Sequence, residues 1–393
     1  MLPEAMVRLG TNRSVIRELF EFGKLRAAEV GAENVFDFSI GNPSVPPPRS
    51  LTDAAAELLQ TTDPMLLHGY TSAQGDALVR AAVADYLNRT HGTAYSGNDL
   101  YMTVGAAAAL CCLLHGLTCP EDEFIVFAPY FPEYGVFIAG AGAKMVTIPA
   151  EIEAFQIDFD AFEAAVNEHT KGVLVNSPNN PCGAVYSPAT VQRLADILRA
   201  KSAQYGHPIY LISDEPYREI AYDVEVPWLP NYYENTLVCY SYSKSLSLPG
   251  ERIGYFLVPP AVEDHDTVYA AAAGAGRMLG YVCAPAFFQH LIARCVGQTA
   301  DLTVYRRNRD LLVKSLREMG YHCVEPGGTF YLFPRSLEPD DAAFSERAKK
   351  HDLLIVPGSG FGCPGHVRIS FCVPTERIER ALPAFEKLRN EYK

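Results

Sequence analysis

The sequence predicts an α/β fold: a mostly parallel sheet covered by helices on both faces, followed by a smaller α+β unit. Three observations predict it. From about residue 99, short apolar runs alternate with Ala-rich or amphipathic stretches, the order that gives parallel strands and crossover helices. Beyond about residue 284 this gives way to a long amphipathic stretch and then to short strands with one-sided helices. The 393 residues, 48% hydrophobic and 20% charged, are enough for roughly two to three domain-sized cores.

The elements follow in order. Leu100–Val104 reads as a strand and Ala106–Leu117 as the helix after it. Glu123–Phe127 and Lys144–Ile148 are apolar strands. Asp160–His169 has helical spacing, with Phe162, Ala165 and Val166 on one face. Gly172–Val175 is a buried strand, and Ser187-Pro188 opens a helix to about Gln204. Pro208–Ser213, Thr236–Tyr240 and Ile253–Val258 complete the strands of the large unit. In the tail, one long helix is expected from about Ala284 to Leu316. A Gly-Gly-Thr-Phe-Tyr-Leu-Phe segment at 327–333, a helix at Asp341–His351, and strands at Leu353–Val356 and His366–Phe371 follow. The proline-rich residues 38–49 bridge the two units.

Composition excludes several functions. The formal charge of −13 repels phosphate backbones, so nucleic acid is not an expected partner. No apolar run reaches the eighteen or so residues of a membrane span, and no charged leader precedes an apolar stretch. The ten cysteines form no Cys-x-x-Cys pair, so buried free thiols in a cytosolic protein are expected rather than zinc or disulfides. His-Glu-x-x-His, Gly-x-Ser-x-Gly and the phosphate-loop pattern are all absent. Pro357–Gly362 is a turn, since it does not open a helix after a strand.

The residues with chemistry all follow strands, where open α/β sheets bind ligands. Lys244 lies in Ser241-Tyr-Ser-Lys-Ser-Leu-Ser-Leu-Pro-Gly-Glu-Arg252. A lysine desolvated near another cation loses proton affinity, and its amine becomes a nucleophile toward carbonyls. Ser241, Ser243 and Arg252 are suited to a phosphate dianion. Together they describe a site for a phosphorylated aldehyde, although one such lysine by itself is more often simply solvated. Asp214, in Ser-Asp-Glu-Pro-Tyr217, either pairs with a protonated ring nitrogen or closes a turn before proline. Tyr217 is placed to hydrogen-bond a phenolate oxygen or is an ordinary half-buried tyrosine. Asn180, in Asn176-Ser-Pro-Asn-Asn-Pro-Cys-Gly183, sits in a rigid turn. Gly105-Ala106-Ala107 marks either an anion site at a helix N-terminus or a tight βα turn.

These segments together resemble the fold type I pyridoxal 5′-phosphate (PLP) enzymes, specifically the class I/II aminotransferases. The Ser-x-Ser-Lys…Pro-Gly-x-Arg-Ile-Gly, Asn-x-Pro-Asn-Asn-Pro-x-Gly and Asp-Glu-Pro-Tyr segments carry the resemblance, with Tyr70–Gly75 and Arg80 upstream. It runs in order from Ser39-Ile-Gly-Asn-Pro43 to Val367-Arg-Ile-Ser370. It implies a seven-stranded large domain at 49–283, an N-terminal arm and part of the small domain at 1–48, and an interdomain helix with the small C-terminal domain at 284–393. It implies that Lys244 is the Schiff-base lysine and that Asp214 keeps the pyridine nitrogen protonated. Asn180 and Tyr217 would bind the phenolic oxygen. Ser241, Arg252, Gly105 and the amides of Ala106 and Ala107 would hold the phosphate, with Tyr70 reaching it from the neighbouring subunit of a homodimer. Phe131 would stack on the ring, with Tyr130 as the other register. Arg368 would clamp the substrate α-carboxylate beside Gly41 and Asn180.

The activity implied is ping-pong transfer of an amino group between an L-amino acid and a 2-oxo acid. The alternative on the same scaffold is a C–S β-lyase or other amino-acid lyase. A PLP-binding regulator fused to a DNA-binding module, and a nicotinamide dehydrogenase, lack the sequence each requires. Cys182 stands where the family has a small polar residue. The Gly/Ala-rich stretch 271–280 leaves the side-chain specificity and the orientation of Arg277 open.

Overall fold

The structure, a computed structural model, describes residues 2–11 and 14–393. In chain order its strands are β1 (Phe36–Asp37), β2 (Leu100–Thr103), β3 (Glu123–Phe127), β4 (Lys144–Ile148), β5 (Thr170–Asn176) and β6 (Tyr210–Asp214). Then come β7 (Thr236–Ser241), β8 (Gly254–Leu257), β9 (Tyr331–Leu332), β10 (Leu353–Leu354), β11 (Val356–Pro357) and β12 (Val367–Ser370). Seven of them form one sheet in the order β2-β8-β7-β6-β5-β3-β4. The pairs among β4, β3, β5, β6 and β7 are parallel. β8 runs antiparallel to both of its neighbours. The reason lies between β7 and β8, where the chain forms the Lys244 turn and the Pro249–Arg252 loop instead of a crossover helix, so it returns in the opposite sense.

Period-two alternation explains why both faces of the sheet are covered. On β3, Phe124 and Val126 face Leu110, Leu113 and Ala272 of helices Ala106–Leu117 and His265–Leu279. Ile125 and Phe127 face Leu194 and Leu198 of helix Pro188–Tyr205. That last helix has clear ends. The Ser187 hydroxyl accepts from Thr190 N at 3.1 Å, Pro188 occupies the first turn, and Gly206 closes it at φ +74°.

The tail builds the antiparallel sheet β11-β12-β9 and the parallel pair β1-β10. Around them packs a core that includes Phe38, Leu312, Phe330, Leu332, Phe344, Ile369 and Phe385. The β1–β10 pairing joins a segment near residue 36 to one near residue 353. Helix Val15–Val30, capped by Ser14, buries Leu19 and lays Gly23 against Leu354 and Asp37.

Four expectations change. The single helix from Ala284 to Leu316 is two helices, Ala286–Cys295 and Thr303–Glu318. The break is built in: Gly297 has φ +81° and lies against Tyr86, so close that a Cβ there would meet it at 2.6 Å. Asp301 then accepts from Thr303 N at 3.0 Å and starts the second helix. The helix expected to reach His169 ends at Ala165, because Thr170 is needed to pair β5 with β3. The strand expected at Leu353–Val356 divides between two sheets. Finally, Cys119 is exposed, so the thiols are not uniformly buried.

The Gly/Ala-rich stretch has a packing explanation. A Cβ on Gly116 would lie 2.8 Å from Ala272 Cα, so the helices Ala106–Leu117 and His265–Leu279 touch backbone to backbone. Ala275 and Gly276 are buried in the same helix, while Arg277 on its other side is exposed. Among the described residues no helix is long and apolar enough to cross a membrane. Gly116→Val, which forces these helices apart, is expected to lower the unfolding free energy by about 1–3 kcal/mol. The change should appear as a lower denaturant midpoint at unchanged slope.

Candidate active site

Three neighbouring parallel strands end side by side and deliver Asn176 (β5), Asp214 (β6) and Ser241 (β7) to one edge. The Tyr242–Ser245 turn after β7 adds Lys244, and the β2 turn adds the start of helix Ala106–Leu117. A cavity of about 560 Å3 opens there. Gly41, Ala106, Ala107, Phe131, Asn180, Asp214, Tyr217, Ser241, Lys244, Arg252 and Arg368 all line it.

One end of the cavity is built for an anion. The Ser241 and Ser243 hydroxyls are 2.7 Å apart, and Arg252 Nη1 donates to Ser243 Oγ at 3.2 Å. Gly105 is the only residue type that fits its place: φ is +97°, and a Cβ would meet Arg252 Nη2 at 2.6 Å. No side chain caps the helix that follows, so the positive pole of that helix is available to a ligand.

The other end is built around a buried carboxyl. Asp214 Oδ2 accepts from the Tyr134 hydroxyl at 2.6 Å, while Oδ1 has no partner. Burial pushes the Asp214 pKa up to about 7, with the Tyr134 bond opposing. Asn176 braces the strand ends: its Nδ2 donates to Asp214 O at 2.8 Å and its Oδ1 accepts from Asn180 N at 2.7 Å. Asn180 Oδ1 in turn accepts from Arg368 Nη1 at 3.1 Å. The Arg368 guanidinium also donates to Ser39 O at 2.5 Å and lies 4.6 Å from the Tyr331 ring centroid and 4.9 Å from that of Phe361. Its Nε is buried without a partner. The Tyr217 and Tyr331 hydroxyls are 3.1 Å apart.

Lys244 links the ends. Its Nζ donates to Gly41 O at 2.6 Å. Burial lowers its pKa to about 8, and Arg368 and Arg252 push the same way against Cys372. Gly41 is itself constrained, since a Cβ there would fall 1.8 Å from the Tyr331 hydroxyl.

Two residues singled out in the sequence lie elsewhere. Tyr70 is 99% exposed in the single chain and does not line the cavity. Arg277 is exposed and does not line it either. Tyr130 packs on Gly362 and its amide donates to Phe361 O at 3.0 Å, whereas the next ring, Phe131, reaches the cavity edge-on to Tyr134. Sequence reasoning missed Tyr134, Tyr331, Asn176 and the contribution of Ile16, Arg17 and Phe20 from the N-terminal helix. Nothing in the spacing of the first three marks a contact. The amphipathic run at 15–30 was the available signal for the last.

The donor set fits a phosphorylated aldehyde with a basic ring nitrogen. Hydroxyls, a guanidinium and a free helix end face one way, and an unpartnered carboxyl oxygen faces the other. A poorly solvated amine lies in the same cavity. Among the described residues, no three His, Cys, Asp or Glu side chains are grouped to hold a metal.

The chain is similar to known proteins along nearly its whole length. The family model for aminotransferase class I and II matches residues 33–385. Aromatic-amino-acid aminotransferase 2 of Thermococcus litoralis is 29% identical, with 97% of each chain covered. An amino transferase of Eubacterium rectale with a solved structure is 58% identical, superposes with a TM-score of 0.98, and is covered to 99% by 100% of this chain. The aspartate aminotransferase of Thermus thermophilus, solved with maleate, is 27% identical with a TM-score of 0.84 and 99% of each chain covered.

The buried carboxyl makes a pH prediction for the cofactor-free protein. The folded pKa of Asp214 lies above its unfolded value. Between about pH 4 and 7 the unfolded chain therefore gives up the proton first, and stability falls as pH rises through that window. Asp214→Asn should stabilise the cofactor-free protein above pH 7, by up to about 4 kcal/mol. The gain should vanish toward pH 4 in denaturant titrations run across pH.

Proposed function

This chain belongs to the aminotransferase class I and II family, and on that premise we propose that it holds pyridoxal 5′-phosphate at Lys244 and transfers amino groups between L-amino acids and 2-oxo acids in two ping-pong half-reactions. The observation that carries the reading is one cavity containing a buried low-pKa lysine, an anion cradle and an unpartnered buried carboxyl oxygen. Ser241, Arg252, Gly105 and the amides of Ala106 and Ala107 are suited to the phosphate. Asp214 is suited to the pyridine nitrogen, Asn180 and Tyr217 to the phenolic oxygen, and Phe131 to the ring face. When bound, the cofactor supplies a cationic ring that withdraws the electron pair left by the broken Cα–H bond.

The protein's own residues supply aim and proton transfer. Arg368 takes the substrate α-carboxylate through paired N–H donors, with Gly41 and Asn180 beside it, and this fixes which Cα substituent points across the ring. Lys244 Nζ, once free, takes the Cα proton. A pKa near 8 suits it to that task near neutral pH. Asp214, held by Tyr134, would keep the charge of the ring nitrogen in place. Tyr70, with the exposed Met65, Leu66 and Leu78 nearby in sequence, supports a homodimer in which Tyr70 serves the neighbouring site. Ten unpaired thiols suit a reducing, cytoplasmic setting.

The rest of the wall supports a substrate class. Ile16, Phe20, Ile40 and Leu110 make it apolar, and Arg17 enters from the N-terminal helix. Among the described residues Arg17 is in no ion pair, unlike Arg26 on the same helix. An unpaired guanidinium beside apolar walls suits a 2-oxo dicarboxylate in one half-reaction and an apolar or aromatic side chain in the other. The Thermus relative solved with maleate and the Thermococcus aromatic enzyme are consistent with both.

The holoprotein should be yellow, with a visible band lost on borohydride treatment and a reduced cofactor mapped to the Lys244 peptide. Lys244→Ala should cut turnover by about 10²–10⁴-fold or more; normal turnover would remove the lysine from this role. Arg368→Ala should raise KM for all amino and oxo acids by about 10–100-fold. Arg17→Gln should raise KM about tenfold for 2-oxoglutarate and oxaloacetate but leave phenylalanine unchanged. Pyruvate and ammonia released without an acceptor would favour the lyase.

A further inference from the structure

Two residues after Tyr217 the chain carries a carboxyl with no place in the chemistry above. Glu219 Oε2 is shielded from solvent and has no partner. It lines a second cavity of about 20 Å3, together with Tyr86, His91, Trp228, Tyr240, Tyr242 and Tyr255, a space about large enough for one water. The neighbouring Arg218 does not compensate it with a hydrogen bond. That guanidinium is held by Glu215 and by the carbonyls of Val226 at 3.0 Å and Pro227 at 2.9 Å, and lies over Trp228. His91 stacks on the same indole and burial lowers its pKa to about 4, so it stays neutral.

Among the described residues, the only hydrogen bond that a side chain makes to the Glu219 carboxyl comes from Tyr240, whose hydroxyl donates to Oε1 at 2.8 Å. With its hydrogen so committed, the Tyr240 oxygen accepts from Ser245 Oγ at 2.9 Å. Ser245 O in turn accepts from Ala300 N at 2.7 Å, in the break between the two tail helices. Ser245 is the residue after Lys244. The chain of bonds Ser245→Tyr240→Glu219 therefore fixes the turn that carries the amine, from the side of a cavity the substrate does not enter.

We propose that Glu219 is a positioning residue for Lys244, acting through Tyr240 and Ser245 as a hydrogen-bond acceptor of fixed shape. The proposal rests on Lys244 carrying the cofactor. Two buried carboxyls share one guanidinium here, and Arg218 is committed to Glu215. An ionised Glu219 would be a poorly compensated charge, and burial raises its pKa accordingly. A neutral acceptor of the same shape should therefore replace it.

The test compares holoenzyme carrying Glu219→Ala, Glu219→Gln or Tyr240→Phe with wild type. It reads kcat, KM, melting temperature and the pH titration of the visible cofactor band. Glu219→Ala and Tyr240→Phe should lower kcat about tenfold with KM little changed, and should move the midpoint of the band's titration. Glu219→Gln should restore both. Tyr240→Phe keeps the buried ring, so it remains informative if Glu219→Ala does not fold. A lower melting temperature with kcat and band unmoved would overturn the proposal, as would a Gln variant no better than Ala. Wild type without a visible band would overturn the Lys244 reading and this proposal together. A normal wild-type band with variants indistinguishable from it would overturn this proposal alone.

Discussion

The site depends on one hydrogen bond between distant parts of the chain, from Lys244 Nζ to Gly41 O. It keeps a cation in a place where water is scarce. The lysine tolerates this because its pKa has fallen to about 8, so the neutral amine is within reach near physiological pH. The acceptor is a backbone carbonyl of the proline-rich 38–49 segment, held by β1 on one side and by Arg368 through Ser39 O on the other. The amine is thus fixed to the large sheet by its own turn and to the smaller sheets by its partner.

Satisfied polar groups surround two that are not. Buried donors and acceptors are nearly always paired in folded proteins, and most here are: Asn176, Asn180, Ser243, Tyr134 and Tyr217 all have partners. Asp214 Oδ1 and Arg368 Nε do not. Leaving such groups bare costs stability, and because these two belong to residues that line the cavity a ligand there can supply the missing bonds. Their positions, one at a strand end and one on β12, set the span over which a ligand must offer a donor and an acceptor.

Much of this was legible in the sequence, for a definite reason. Parallel strands are apolar runs bounded by polar residues, so the ends of β2 to β7 could be read within a residue or two, and chemistry at strand ends came with them. What could not be read was set by contacts between distant residues. The expected 284–316 helix is broken where Gly297 takes a positive φ against Tyr86 and Asp301 starts a new helix, and an amphipathic pattern says nothing of it. The antiparallel course of β8 follows from what the intervening loop is occupied with. A tyrosine such as Tyr134 or Tyr331 has no spacing that announces a partner 80 or 114 residues away. Tyr70 is exposed in the single chain and does not line the cavity.

The cavity is locally cationic in a protein whose net charge is −13. Lys244, Arg252 and Arg368 line one cavity, with Arg17 on its wall and the open end of a helix dipole, against Asp214 and Glu133. Three of those cations are held by the fold itself. The acidic exterior is damped by salt beyond about 10 Å, whereas a buried charge such as Arg368 is screened much less. A cavity so poised disfavours any ligand that brings no negative charge, and it places the strongest cations apart, Arg252 by the serines and Arg368 by Asn180. Two anionic groups on what is bound, separated by a flat body, satisfy both at once. The amine in the same cavity holds its proton less tightly chiefly because it is buried, and the two positive neighbours push the same way.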